Sequence, residues 1–462
     1  MRAAPLTIGV IGGGFTGAAS AIGCLTRLPE PFRLVLIEPS PALGRGVAYG
    51  SHHPLHLLNV RTRDLSIRAG QPGDFLNWAF RQLDQGENHA GLHDALAHTF
   101  LPRQLFGEYV RQRLFETVEQ RPDVEFSVVP RAARGLRVER GRYAISCDGD
   151  QTVLCDAVVL ATAYGVQPAS AGGALAPFDA LPAERVARAK SIVLVGSGLT
   201  MVDVLLGARR DGFQGVATIV SRRGQLPRPH APKGVVPLPI ALPRSKRVSM
   251  LEASLRIACE MAEEGGAPWQ AVINGLRSSL QDIWRALPVA EQARFLRHLR
   301  PVFDAHRHRL PIEVHARLMA EFDRGRAVLV RGSASGVERN GDRFKLEILR
   351  RGAHAPETIA ADLVFDCSGF RPDLDQPLIK GLIDTGLARP DAHGLGLAVE
   401  PNGQVLGRGG EQSQGLFAIG PLCQGTLWEI TAVPEIVRQA DAAATSLAAL
   451  QAPALKSGTF AS

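Results

Sequence analysis

The chain has 462 residues, 45% of them hydrophobic and 21% charged, which fits a folded protein of more than one core and excludes large-scale disorder. Its net charge of +7 comes from scattered arginines with no basic block interleaved with aromatics, so nothing marks a nucleic-acid partner. No run reaches the roughly 18–20 apolar residues that span a bilayer, and Gly9, Gly12, Gly13 and Gly14 interrupt any leader-like apolar core, so the expectation is a cytoplasmic protein off the membrane.

Residues 6–11 (LTIGVI) read as a short buried strand. Gly12, Gly14 and Gly17 then form G-x-G-x-x-G, with Phe15 and Thr16 inside the turn, and Ala18–Leu25 suits a helix packed on a sheet. A second strand, Phe32–Ile37, ends in Glu38. The first glycine permits the tight turn, the second lets backbone N–H groups approach a pyrophosphate, the third lets helix and strand pack, and the acid accepts ribose hydroxyls. His52, His53 and His56 form a cluster without a cysteine or paired carboxylate at ligand spacing, which reads as a covering loop and gives no metal site.

Asp156–Ala163 (DAVVLATA) is a returning strand, and Pro168 is a natural hinge after it. Ser191–Val195, the turn Gly196-Ser-Gly198, helix Leu199–Leu206 and strand Val216–Val220 repeat the opening pattern, with Met201 at the third glycine position. Arg222 and Arg223 follow. Glu38 lies 26 residues beyond Gly12, and Arg222 lies 26 beyond Gly196. One slot therefore holds an acid in the first unit and a base in the second. Arginine pairs with a 2′-phosphate that an acid would repel. This asymmetry assigns FAD to the first unit and NADPH to the second, with NADH as the alternative.

Residues 249–322 show apolar spacing of three and four, read as a helical insertion at about 245–322. It contains His298, Arg300, His306, Arg307, His308 and Arg309; Arg307 and Arg309 are candidate anchors for an acidic substrate, and Arg103 in P-R-x-x-F is another. Asp362–Gly369 (DLVFDCSG) is a second returning strand. Gly415–Gly420 is a third strand, leading through Thr431 to a helix over Ala432–Leu450 whose positive end would face the flavin. The six cysteines show no C-x-x-C or C-x-x-x-x-C spacing, which excludes the usual zinc sites and a redox dithiol.

These stretches resemble the YdhS-like FAD/NAD(P)-binding proteins, related to the class B flavin monooxygenases and N-hydroxylases. The resemblance covers nearly the whole chain. Its carriers are IGGGFTG at 11–17, LGRGVAY with Arg45 at 43–49, HLLNV at 56–60, FLPRQLFGEY at 100–109, VLVGSGLTMVDVLL at 193–206, SRRGQLPR at 221–228 and LFAIGPLCQGTLWEITAVPEI, with Gly420 and Thr431, at 416–436. It implies that Asn59 stands beside the flavin, although Arg61 replaces the proline that usually follows and the Baeyer–Villiger fingerprint F-x-G-x-x-x-H is absent. The expected fold is α/β: an FAD domain at 1–168 and 356–462 around an NAD(P)H domain at 169–355 that carries the helical insertion. The expected activity, implied by the resemblance, is hydroxylation of a small amine or amino acid through a hydroperoxyflavin. The alternatives are a reductase passing electrons to another acceptor and a non-catalytic nucleotide sensor.

Overall fold

The computed structural model describes residues 5–50, 53, 55–83, 89–164, 173–178, 181–232, 235–370 and 373–451. His52 and Pro168 lie outside them. The chain divides into two compact units. The first comprises Met1–Pro54, Val60–Val166 and Pro372–Ser462; the second comprises Leu55–Asn59 and Gln167–Arg371.

The first unit opens with β1 (Thr7–Ile11), α1 (Phe15–Arg27) and β2 (Arg33–Ile37), followed by α2 (Gly46–Tyr49), α3 (Asp74–Leu83), α4 (His89–Ala97), α5 (Arg103–Glu119) and β3 (Glu125–Val129). β4 (Ala133–Glu139), β5 (Arg142–Cys147) and β6 (Thr152–Cys155) make a separate antiparallel sheet, and β7 (Ala157–Leu160) rejoins the main one.

In the second unit α6 (Ala183–Arg188) leads to β8 (Ser191–Val195), α7 (Leu199–Arg210) and β9 (Val216–Ser221). The predicted helical insertion follows as α8 (Val248–Glu264), α9 (Trp269–Gly275), α10 (Leu280–Ala286), α11 (Val289–Arg294), α12 (Arg300–Arg307) and α13 (Ile312–Asp323). β10 (Ala327–Asn340), β11 (Arg343–Arg350), β12 (Glu357–Ala361) and β13 (Leu363–Asp366) complete this unit. The chain then supplies the first with α14 (Pro377–Asp384), β14 (Gln404–Leu406), β15 (Gln412–Ala418) and α15 (Val433–Gln451).

Both main sheets have six strands, ordered β14-β15-β7-β1-β2-β3 and β12-β11-β10-β9-β8-β13. In each, the first strand of the unit sits between the strand that follows its helix and a late returning strand: β7-β1-β2 in one, β13-β8-β9 in the other. All four pairings are parallel. This order puts a topological switch point at the carboxyl end of β1 and again at that of β8, the crevice where open α/β sheets take ligands. The near-continuous apolar runs TIGVI and SIVLV reflect strands covered on both faces.

The two returning aspartates share a structural task. Asp156 Oδ2 accepts the Thr7 N–H at 2.8 Å, fixing the start of β1. Asp362 Oδ2 accepts the Lys190 and Ser191 N–H groups at 2.8 and 3.0 Å, fixing the start of β8. Burial pushes the Asp362 carboxyl upward, but these hydrogen bonds and Arg343 outweigh it and hold the group below its ordinary value.

Two boundaries differ from the sequence reading. The second unit extends past 355, because β12 pairs with β11 and β13 pairs with β8 from Leu363↔Ile192 to Asp366↔Val195. Residues 55–59, expected within the first domain, belong to the second: His56 is buried edge-on to Phe178 at 5.4 Å, and the Asn59 carbonyl accepts from His230 Nε2 at 2.9 Å. The alternation His56-Leu57-Leu58 buries His56 and Leu58 while leaving Leu57 half-buried. A domain boundary drawn from motif order cannot see such an excursion.

Candidate functional site

The first glycine turn is built as its spacing predicts. Gly12 has φ +104°, a conformation that strains other residues, and an added Cβ would lie 2.5 Å from the Ala161 carbonyl oxygen at the end of β7. A Cβ on Gly17 would lie 2.8 Å from the Gly12 carbonyl carbon and closer still to its oxygen, so α1 presses directly on the turn. Gly14 caps α1 without a side-chain hydrogen bond, and no acidic residue occupies the first helical turn. The turn therefore offers backbone N–H groups and the positive end of the helix dipole to an anion. Phe15 and Thr16 are buried and belong to the wall of the turn.

Glu38 closes the turn from the end of β2. Its Oε2 accepts the Gly13 N–H at 2.6 Å and its Oε1 accepts that of Ser40 at 2.9 Å. Arg45 starts α2, whose Gly46 backbone packs on Gly14; the Arg45 side chain lies against Gly107 of α5 and 4.0 Å from Glu108. Beneath them Phe15, Tyr49 and Phe106 form an aromatic cluster with ring centroids 4.8–5.9 Å apart. Arg103, at the start of α5, is close enough to the half-buried Tyr49 to oppose the upward shift that burial of its hydroxyl brings, to about 12. Gly420 (φ +78°) brings the end of β15 against Thr16, and its N–H donates to Gln439 Oε1 at 2.8 Å. Thr431 stands two residues before α15 and is half-buried. In the same loop Glu429 is 4% exposed at φ +68°, a strained placement that no sequence pattern signals.

The second turn repeats the geometry in the other unit. Gly196 has φ +113°, and a Cβ there would lie 2.5 Å from the Cys367 carbonyl carbon at the end of β13. Gly198 caps α7 without a side-chain bond, and an added Cβ would meet nothing within 4 Å, which is open room above a helix N-terminus. Met201, at the third glycine position, is fully buried in the core between α7 and the sheet. Ser197 Oγ donates to the Gln225 carbonyl at 2.6 Å and lies 2.8 Å from Ser221 Oγ, tying the turn to the loop after β9.

That loop carries the exposed Arg222 and Arg223, the latter donating to the Arg297 carbonyl at 3.1 Å. A third arginine joins them. Arg331 is paired with Ser221 in the β9–β10 register, and its stem lies against Gly224, where a Cβ would fall 2.9 Å from Arg331 Nε. Sequence reasoning missed Arg331 because it is 108 positions from Arg223 and becomes its neighbour only through parallel pairing.

The remaining predicted residues fall elsewhere. Arg309 is 4% exposed, lies over the Trp269 ring at 5.7 Å and donates to Asn274 Oδ1, so it organises the helical insertion and does not face solvent. Arg307 is half-buried at the end of α12. Asn59 is half-buried in the 55–59 segment of the second unit. His56 and His53 come no nearer to a metal set; among the described residues no group of three or more His, Cys, Asp or Glu could hold a metal ion. Burial pushes all six thiols upward, Cys24, Cys155 and Cys423 to about 12, so none is a ready nucleophile. No helix among the described residues is long and apolar enough to cross a membrane.

Residues 9–165 match the FAD-NAD(P)-binding family model. The ornithine N-hydroxylase of Kutzneria sp. 744, solved with reduced FAD, NADP+ and L-ornithine, superposes over 97% of this chain and 100% of its own, at TM-score 0.65 and 14% identity. The fold is that of these flavoproteins. The cadaverine monooxygenase of desferrioxamine biosynthesis from Erwinia amylovora, bound to FAD, matches over 96% of this chain and 95% of its own at TM-score 0.62 and 12% identity. The bacillithiol disulfide reductase of Bacillus cereus matches over 97% and 100% at TM-score 0.53 and 13% identity. No curated protein matches by sequence.

Proposed function

We propose that the protein is an FAD-dependent, NADPH-consuming monooxygenase that hydroxylates a small amine or amino acid, within the YdhS-like branch of the FAD/NAD(P)-binding proteins. The observation that carries the two-nucleotide reading is the pair of similar glycine turns whose flanking slots differ in charge: Glu38 in one unit, and Arg222, Arg223 and Arg331 in the other. The likeness to N-hydroxylases over nearly the whole chain supports the monooxygenase branch.

The residues fit both groups. Gly12, Gly14, Phe15, Thr16 and Gly17 would hold the FAD pyrophosphate at the α1 N-terminus, with Glu38 accepting the ribose hydroxyls and Arg45, Gly420 and Thr431 lining the rest. Gly196 and Gly198 would hold the NADPH pyrophosphate in the open room above α7, and the arginines would pair with the 2′-phosphate. When bound, FAD supplies hydride acceptance and reaction with oxygen; the chain supplies orientation and charge. Asn59 remains the candidate catalytic amide, its backbone fixed by His230. Arg103 is the preferred anchor for a substrate carboxylate, because the buried Arg309 is taken up by Asn274 and the Trp269 ring and Arg307 is half-buried at the end of α12.

The decisive assay is oxygen and NADPH consumption by the FAD-loaded protein with ornithine and cadaverine as probes, together with hydroxylamine detection. Hydroxylamine formed in step with NADPH supports the reading. Flavin reduction by NADPH with no oxygenated product assigns the protein to the reductases. Bound but unreduced flavin assigns it to sensors.

A further inference from the structure

We propose that the second unit carries a separate site for a small molecule with a carboxylate or phosphate head and an apolar body, in a cavity between α7 and α13. The cavity has a volume of about 520 Å³ and is lined by Leu55, Leu206, Ala316 and Ala320, with Arg209, Arg210, Arg317 and Arg324 around them and Glu321 at the floor. It is an open groove whose volume admits a small ligand, with its rim accessible to solvent. Arg317, Ala320 and Glu321 stand at i, i+3 and i+4 on one face of α13, with Arg324 at its C-cap; Leu206, Arg209 and Arg210 stand at i, i+3 and i+4 on α7.

The charges at the floor are already balanced. Glu321 is 4% exposed and pairs with both Arg209 and Arg326. The Arg209 guanidinium is spent: it donates to Glu321 at 2.6 Å and to the carbonyls of Phe213, Gly215 and Arg326 at 2.8–2.9 Å, and it lies 4.5 Å over the Phe213 ring. Arg210, Arg317 and Arg324 are different. All three are exposed at the rim, and none makes an ion pair or side-chain hydrogen bond with a described residue. A solvated basic face would need no cavity, and an apolar cavity would not gather three uncompensated cations. An anion with an apolar tail satisfies both. The site is also distinct from the nucleotide turn, because Arg210 ends α7 roughly 16 Å along the helix from Leu199.

The test is calorimetric titration of the full FAD-loaded chain with octyl phosphate, inorganic phosphate and octanol, each with NADPH saturating. We expect octyl phosphate to bind one per chain, at least tenfold tighter than either fragment. The double variant Arg317→Ala/Arg324→Ala should weaken it at least tenfold while binding NADPH as before, which also shows that the variant is folded. On the unaltered protein the octyl phosphate affinity should fall severalfold between 50 and 500 mM salt. Equal binding to variant and wild type, loss of binding when NADPH saturates, or an affinity indifferent to salt would each overturn the proposal.

Discussion

Replacing Gly17 with alanine tests how the first turn is held together. The new Cβ would lie 2.8 Å from the Gly12 carbonyl carbon, where ordinary contact begins at 3.4 Å, and the oxygen is nearer still. Helix α1 must then retreat from the turn, but eleven of its residues are buried and its far side is already tight: a Cβ on Gly23 would lie 3.1 Å from the Ala440 carbonyl oxygen of α15. The clash is backbone on backbone and cannot be relieved by a rotamer. Overpacking of this kind costs about 3 kcal/mol, a loss of roughly 6–12 °C in melting temperature for a unit of this size. Gly198→Ala in the second unit is the matched control, because its Cβ meets nothing within 4 Å. It should melt like the wild type yet bind NADPH more weakly, if the open room above α7 is where the proposed pyrophosphate site lies. Thermal melting with flavin absorbance, followed by NADPH titration, reads all of these. A Gly17→Ala protein with wild-type melting and full flavin content would refute the packing argument.

Other consequences follow from particular contacts. Arg331→Gln should raise the Kd for NADPH about tenfold, as loss of one charge-assisted hydrogen bond implies, and leave NADH unchanged; parallel titrations with the two nucleotides decide it. Arg113→Ala should destabilise the first unit by about 3–5 kcal/mol in urea unfolding, because it strands Asp74, whose oxygens accept from Arg113 at 2.8 and 3.0 Å and from the buried Tyr109 hydroxyl at 2.6 Å. Burial opposes ionisation of Asp74, but these partners prevail and hold its carboxyl below the usual value, so its contribution is present above that value and vanishes as the pH falls through the depressed one. Asp391 behaves in the opposite sense: burial raises it despite backbone hydrogen bonds, and Gly425 packs so closely that a Cβ there would overlap the carboxyl. Asp391→Asn should therefore raise the melting temperature at pH 8, with the gain shrinking toward pH 4.

The opening turn, its acid and the second copy were legible because each is local: glycines within six positions, then a strand end at a fixed offset. The helical insertion was legible from its period, and the returning strands from their apolar runs. What sequence could not supply was contact across long separations. Arg331 reaches Arg223's loop only through the β9–β10 register, and Asp156 meets Thr7 only once β7 has paired beside β1. The excursion at 55–59 was hidden because a five-residue segment carries no periodicity of its own. Arg309 read as a candidate substrate anchor because charge in a sequence carries no burial, and Trp269 and Asn274 supply that burial from another helix. Glu429, buried in a left-handed conformation, broke a local rule that no propensity argument could anticipate.

Rapid mixing of the FAD-loaded protein with NADPH under anaerobic conditions probes the proposed division of labour between the two turns. Flavin absorbance should bleach with NADPH, Arg222→Gln/Arg223→Gln should slow bleaching at low NADPH but not at saturation, and NADH at equal concentration should be the poorer reductant. Bleaching that favours NADH, or that is indifferent to both arginines, would overturn the assignment of NADPH to the second turn.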